Sequence, residues 1–220
     1  QGRVAAYNIF KIIINDNKNE ILISPYTLTE VINAIIYAGG KPIYVDIDIN
    51  TGLPDHNKVN ELINNKTSGI IITHLYSNAS DILNFKEKFN NKIKIIEDTA
   101  INLGAKVNNE KFLGTLFDYG FYSFGVMKNL CTFHGGAIFC KEKNELDKIE
   151  LNLKKNIKYP IFASLKLIFF CMIIDLLYSK YIFNFFTYYL LKIVNKYKIS
   201  YIEKIIYPGV YPKLLNNKPK

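Results

Sequence analysis

Acidic side chains are nearly missing from the last third of this chain. After residue 150 only Asp175 and Glu203 stand against 12 lysines, whereas residues 1–150 carry 16 Lys/Arg and 17 Asp/Glu. The net charge of +9 is therefore a property of the C-terminal segment, and the rest is close to neutral. A nucleic-acid-binding surface is excluded as the main reading, because the lysines lie among apolar runs and form no polar stripe. Cysteine is scarce: Cys131, Cys140 and Cys171 make an odd number without CxxC spacing. That pattern implies neither a metal site nor a disulfide framework and suits a reducing, cytoplasmic compartment. Long apolar runs are missing as well. The longest clean stretch, Leu167 to Ile174, falls far short of the ~20 residues of a transmembrane helix, and Asp175 directly after it would be costly at mid-bilayer. The residues from Gln1 onward contain no signal-peptide pattern and no internal repeat, and the chain reads as N-terminally truncated.

Short apolar runs alternate with amphipathic stretches from Glu20 to Cys140. Strands are expected at Glu20–Ser24, Pro42–Asp46, Gly69–Thr73, Ile93–Ile96, Phe121–Phe124 and Ala137–Cys140. Helices are expected at Thr27–Ala38, with Thr27 as N-cap, at Asp55–Ile63, at Asp81–Phe89 and at Glu142–Leu153. The Gly69–Thr73 run lacks polar alternation, as a strand buried on both faces should. The pattern predicts an α/β fold: a three-layer α/β/α domain over residues 1–150 with a mostly parallel sheet. Residues 151–220 are expected to form a helical, apolar and basic segment that begins an incomplete or divergent C-terminal region. Within it, 159–194 reads as a buried or interfacial helical pair whose lysines reach toward solvent or anionic lipid headgroups, which would associate the chain with a membrane surface.

Ligands on a parallel sheet bind beyond the carboxyl ends of the strands. Asp98 stands at one such end and His74 at another. Downstream, the aromatic run Phe121-Tyr122 leads to Ser123, Lys128 follows five residues later, and Gly135-Gly136 opens the next apolar run. An Asp at a strand end and a Lys on a later loop are the two fixed points of a pyridoxal phosphate site, with the Lys bonded to the cofactor and the Asp against its ring nitrogen.

These motifs, in this order, resemble the DegT/DnrJ/StrS sugar aminotransferases, pyridoxal phosphate enzymes of the aspartate aminotransferase fold. Gly2-Arg3-Val4-Ala5-Ala6 is similar to the family's opening glycine turn. Tyr37-Ala38-Gly39-Gly40-Lys41-Pro42-Ile43-Tyr44-Val45-Asp46-Ile47-Asp48 is close to "YAGATPVFVDID". His74-Leu75-Tyr76-Ser77 resembles "HLYG", Glu97-Asp98-Thr99-Ala100 resembles "EDAA", and Ser123-Phe124 through Lys128-Asn129-Leu130 resembles "SFxxxKNL". The resemblance implies Lys128 as covalent anchor and general base, Asp98 as partner of the ring nitrogen, and Ser123 with the backbone of Gly2, Arg3 and Val4 as the phosphate cradle. His74 and Tyr76 become candidates for touching the sugar. It also implies a nucleotide-linked keto sugar as substrate, glutamate as amino donor and a homodimer. Three positions depart from the family pattern. Ile101 stands where Gln or His meets the cofactor's ring hydroxyl, Leu28 where an aromatic stacks on the ring, and Arg3 where Thr or Ser follows the turn glycine. Ile101 and Leu28 keep a second reading open, a decayed, membrane-peripheral scaffold on the same fold.

Overall fold

The computed structural model describes residues 1–75, 79–89, 92–107, 110–125, 128–132, 135–156 and 161–197. Two compact units divide them, one up to residue 156 and one from residue 161.

The first unit is built on a six-stranded sheet of β1 (Glu20–Ile23), β2 (Lys41–Tyr44), β3 (Thr67–Thr73), β4 (Lys94–Asp98), β7 (Tyr119–Ser123) and β8 (Gly136–Cys140), in the order β2-β1-β3-β4-β7-β8. Its strands are parallel except β8, which pairs antiparallel with β7. A two-stranded antiparallel ribbon, β5 (Lys106–Val107) and β6 (Lys111–Phe112), lies outside it. Pro42, which has no N–H to donate, sits on the edge strand β2, where its absence costs least.

Successive side chains of the central strands bury on opposite faces. Ile21, Ile23, Ile71 and Ile96 pack with α1 (Gly2–Ile13), α2 (Thr29–Tyr37) and α5 (Lys143–Asn156). Leu22, Ile70, Ile72 and Ile95 pack with α3 (His56–Leu62) and α4 (Ala79–Phe89) on the other side. This is the expected three-layer arrangement, and each fully buried Ile contributes roughly 1.5–3 kcal/mol of transfer free energy.

Two local readings of the sequence are corrected. Gly2–Ala6 is not a turn but the first turn of a 12-residue helix, whose buried Ala5, Ala6, Ile9 and Phe10 recur at helical spacing. Thr27 does not cap α2. The N-cap is Leu28, without a side-chain hydrogen bond, and the Thr27 hydroxyl is buried without a partner. The other end of α2 is well specified. Gly39 takes φ +95°, its N–H donates to the Ile36 carbonyl at 3.0 Å and that of Gly40 to the Ile35 carbonyl at 2.9 Å. This paired closure needs a residue free to adopt positive φ.

The second unit is helical: α6 (Ile161–Tyr178), α7 (Lys180–Ile182), a π-helical stretch (Phe183–Thr187) and α8 (Tyr188–Tyr197). Ser179 takes an extended conformation (ψ 142°), and the segments on its two sides, Ile168–Tyr178 and Lys180–Val194, bend by 60°. Among the described residues no single helix is long and apolar enough to cross a membrane. The helices are not a buried pair, since their apolar side chains are broadly exposed.

Candidate active site

The carboxyl ends of β3, β4 and β7 lie side by side, with Thr73 and Phe121 in register with Asp98 on either hand. Asp98 is 5% exposed, and its Oδ1 accepts the Ala100 N–H at 3.0 Å. Burial pushes its carboxyl above the ordinary carboxylate range. The Ala100 bond, and then the nearby Lys128 and His74 side chains, pull it back in part. A carboxylate desolvated to this degree is best satisfied by a cation placed against it.

Lys128 supplies one such charge. It is half-buried, on a turn closed by its own N–H to the Gly125 carbonyl at 3.2 Å. The Lys128 charge, 30 positions away in sequence, thus offsets part of the effect of burial on Asp98.

Ser123 ends β7 and meets the start of α1. A Cβ at Gly2 would lie 2.8 Å from the Ser123 Cβ and 3.1 Å from its Oγ, so only glycine lets the helix come this close. First-turn N–H groups of a helix have no intrahelical acceptor and carry a partial positive charge. Here the N-cap, Gln1, makes no side-chain capping bond. Two of the expected phosphate contacts are placed differently. The Val4 N–H is already engaged by the Gln1 carbonyl at 3.0 Å. The exposed Arg3 has its Nε bonded to Gln1 Oε1 at 2.8 Å. The donors beside Ser123 are therefore those of Gly2 and Arg3 on the backbone.

The remaining expected residues are spread around this centre. Leu28 is 56% exposed at the start of α2, with Tyr26 exposed nearby. Ile101 is 41% exposed on the turn after Asp98. Tyr76 lies outside the described residues. His74 is not open to a substrate. It is 2% exposed, its Nε2 lies 3.0 Å from Glu97 Oε1, its N–H donates to the Asp98 carbonyl at 3.1 Å, and the Asn102 amide bonds its carbonyl. Its Nδ1 is buried without a partner. His74 thus buttresses Asp98 from the neighbouring strand.

Glu97 is the residue whose part the sequence did not disclose. It is fully buried and accepts the N–H groups of Gly114 (2.7 Å), Leu116 (2.8 Å) and Phe117 (3.2 Å) besides His74. One carboxylate thereby fixes both the loop before β7 and the His74 ring. Gly114 holds φ +90°, and a Cβ there would fall 2.4 Å from the Tyr122 hydroxyl.

The donor set fits pyridoxal phosphate. A buried acid short of a cation suits a protonated ring nitrogen, a close lysine suits the covalent anchor, and a hydroxyl beside an uncapped helix start suits a phosphate.

A model of the DegT/DnrJ/EryC1/StrS aminotransferase family matches residues 5–158. Among curated relatives, a dTDP-4-amino-4,6-dideoxy-D-glucose transaminase of Shigella dysenteriae is 32% identical over 136 residues, covering 60% of this chain and 36% of the relative. A GDP-perosamine synthase of Escherichia coli O157:H7 is 31% identical over 131 residues, covering 59% and 36%. The chain thus spans about a third of the length of these relatives. In structure it is similar to an aminotransferase of pseudoaminic acid biosynthesis from Helicobacter pylori, with TM-score 0.62 and 21% identity over 74% of this chain and 44% of that one. That likeness establishes the fold.

Proposed function

The chain belongs to the DegT/DnrJ/EryC1/StrS aminotransferase family, and on that premise we propose that it is the cofactor-binding part of a pyridoxal phosphate-dependent sugar aminotransferase. The observation that carries this reading is Asp98, buried at the carboxyl end of β4, with Ser123 ending the neighbouring β7 against the start of α1. The substrate is a nucleotide-linked keto sugar, with glutamate as amino donor, in the biosynthesis of a cell-surface polysaccharide. The sugar nucleotides in the relatives' names support that class. The reading also includes a cytoplasmic location and a homodimer.

The geometry supports one role for each residue. The Ser123 hydroxyl and the first-turn N–H groups of α1 bind the phosphate. Asp98 holds the proton on the ring nitrogen, and His74 and Glu97 hold Asp98 in place. Lys128 Nζ would hold the cofactor covalently and would take and return the proton that moves during transfer of the amino group. When bound, the cofactor supplies an electron-withdrawing ring that stabilises negative charge on the reacting carbon.

Mixing the protein with pyridoxal phosphate, reducing with borohydride and mapping peptides tests this directly. A pyridoxyl-lysine at Lys128, absent in Lys128→Ala, is the expected result. A folded chain that takes no label would favour the second reading, a decayed scaffold. Ile101 and Leu28, two exposed apolar side chains where the family pattern places ring contacts, are the observations that motivate it.

A further inference from the structure

We propose that the second unit is a membrane-interfacial anchor, whose bent helices lie in the headgroup region of a bilayer containing anionic lipid. Four observations converge on this occupant.

The first is apolar surface that no described residue covers. Phe162, Phe169, Met172, Tyr181, Phe185 and Tyr197 are all exposed, Phe162 at 88% and Phe185 at 83%. On α6 the exposed apolar residues occupy more than half of the circumference at 3.6 residues per turn. A helix apolar nearly all round belongs in a protein core or in lipid.

The second is charge. Lys166, Lys180, Lys192 and Lys196 are exposed on the same helices, and Asp175 is the one acid between residues 161 and 197. Such a surface complements anionic headgroups, and the long stems let each ammonium reach water while the backbone lies deeper.

The third is length. The helix α6 has 18 residues, about 27 Å at 1.5 Å per residue, against a hydrocarbon core of ~30 Å, and among the described residues no single helix is long and apolar enough to cross it. A 60° bend follows α6, and Asp175 lies within this helix. The two segments reach a spanning length together only as a broken span, and lying in the interface suits the bend and Asp175 better.

The fourth is the bend itself. The Thr187 hydroxyl, from a residue only 4% exposed, donates to the Leu177 carbonyl at 2.6 Å. A helix broken in an apolar medium must satisfy its released backbone groups internally, and this bond does so.

The chain contains no tryptophan, so a single reporter gives a clean signal. Phe185→Trp would be compared with Tyr44→Trp, an exposed position on the edge strand of the first unit, after matching urea unfolding shows both to be folded. The probes are vesicles of phosphatidylcholine alone, and of phosphatidylcholine with phosphatidylglycerol. With the anionic vesicles, emission from Trp at position 185 should shift to the blue and be quenched by brominated acyl chains, while emission from position 44 stays unchanged. Substituting Lys166, Lys180, Lys192 and Lys196 by Gln should weaken co-sedimentation on the order of a hundredfold, and salt should weaken it too. The proposal is overturned by an unshifted reporter, by equal binding to the neutral vesicles, or by a reporter already shielded without lipid. In that last case sedimentation velocity tells whether a second copy provides the cover. None of these outcomes depends on pyridoxal phosphate labelling, so the anchor and the enzymatic reading stand or fall separately.

Discussion

Isoleucine and phenylalanine are put to opposite uses in the two units. In the first, Phe10, Phe85, Phe89, Ile70 and Ile71 are fully buried, the phenylalanines on α1 and α4 and the isoleucines on β3, whose carboxyl end lies at the polar cluster of Asp98, Glu97 and His74. In the second, the same residue types face outward. Apolar composition therefore does not locate a core. Periodicity does: the first unit alternates its apolar residues with turns and polar faces, so that two helical layers can close over one sheet. The second strings short apolar runs and lysines together, with too few complementary elements among the described residues to cover them.

The sharpest way to break this comparison is to truncate one phenylalanine in each unit. Phe10→Ala should destabilise the chain by about 3–5 kcal/mol, the usual cost of emptying a close-packed aromatic site. Phe185→Ala should change urea stability by less than about 0.5 kcal/mol in water, as exposed substitutions do. Equal losses at the two positions would mean that the second unit has a core of its own.

Glu97 comes next. Glu97→Ala strands three buried N–H donors and the His74 ring at once. A loss of about 3 kcal/mol is expected, in the range for breaking a buried, hydrogen-bonded charge. Denaturant unfolding reads it, and hydrogen exchange at Gly114, Leu116 and Phe117 should rise with it. A loss confined to cofactor affinity, without a stability change, would contradict the geometry.

The legibility of the sequence follows the same division. The Gly69–Thr73 strand was readable because a strand buried on both faces is nearly uninterrupted in its apolar residues, and Ile93–Ile96 was readable from its isoleucines although Lys94 stands among them. Asp98, Ser123 and Lys128 were readable because they lie in local motifs. Glu97 sat within one of those motifs, yet its part was hidden. Its partners are backbone N–H groups 17 to 20 residues downstream, and such donors leave no mark in residue type. His74 looked open to substrate for a related reason, since the carboxylate that occupies its Nε2 is 23 residues away. The first helix was taken for a turn because Gly2 suggested one, although Ala5, Ala6, Ile9 and Phe10 already carried the helical repeat. Thr27 failed as a cap because its hydroxyl turns into the interior. In the second unit Asp175 and run length already spoke against one long apolar helix, and among the described residues no single helix is long and apolar enough to cross a membrane, but the extent of its exposed surface was not legible.

Gly2→Ala has a smaller expected effect, and it tests whether the close approach of α1 serves binding. Relieving a 2.8 Å contact with Ser123 Cβ requires the start of the helix to back away, at a cost of about 1–3 kcal/mol for overpacking. Affinity for pyridoxal phosphate should fall about tenfold or more as the first-turn donors leave the Ser123 hydroxyl. Absorbance titration measures this. An unchanged affinity would place the phosphate elsewhere.

Asp98→Asn acts in the other direction and isolates the cost of the site from the stability of the core around it. The folded-state carboxyl of Asp98 is raised by burial. As pH climbs past the ordinary carboxylate value, the unfolded chain releases this proton before the folded chain does. Between the two values folding takes up a proton, so the folded state loses stability as pH rises, and above the folded value that loss is complete. Asparagine keeps an oxygen for the Ala100 N–H and carries no such loss. Without cofactor, Asp98→Asn should therefore be more stable than the parent at neutral pH, and the gap should close as pH falls toward the ordinary carboxylate value. With pyridoxal phosphate the order should move back, because a protonated ring nitrogen compensates the buried carboxylate and does nothing comparable for an amide. Thermal denaturation at several pH values, with and without the cofactor, reads both halves. A cofactor-induced gain that is equal in parent and variant would remove Asp98 from the site.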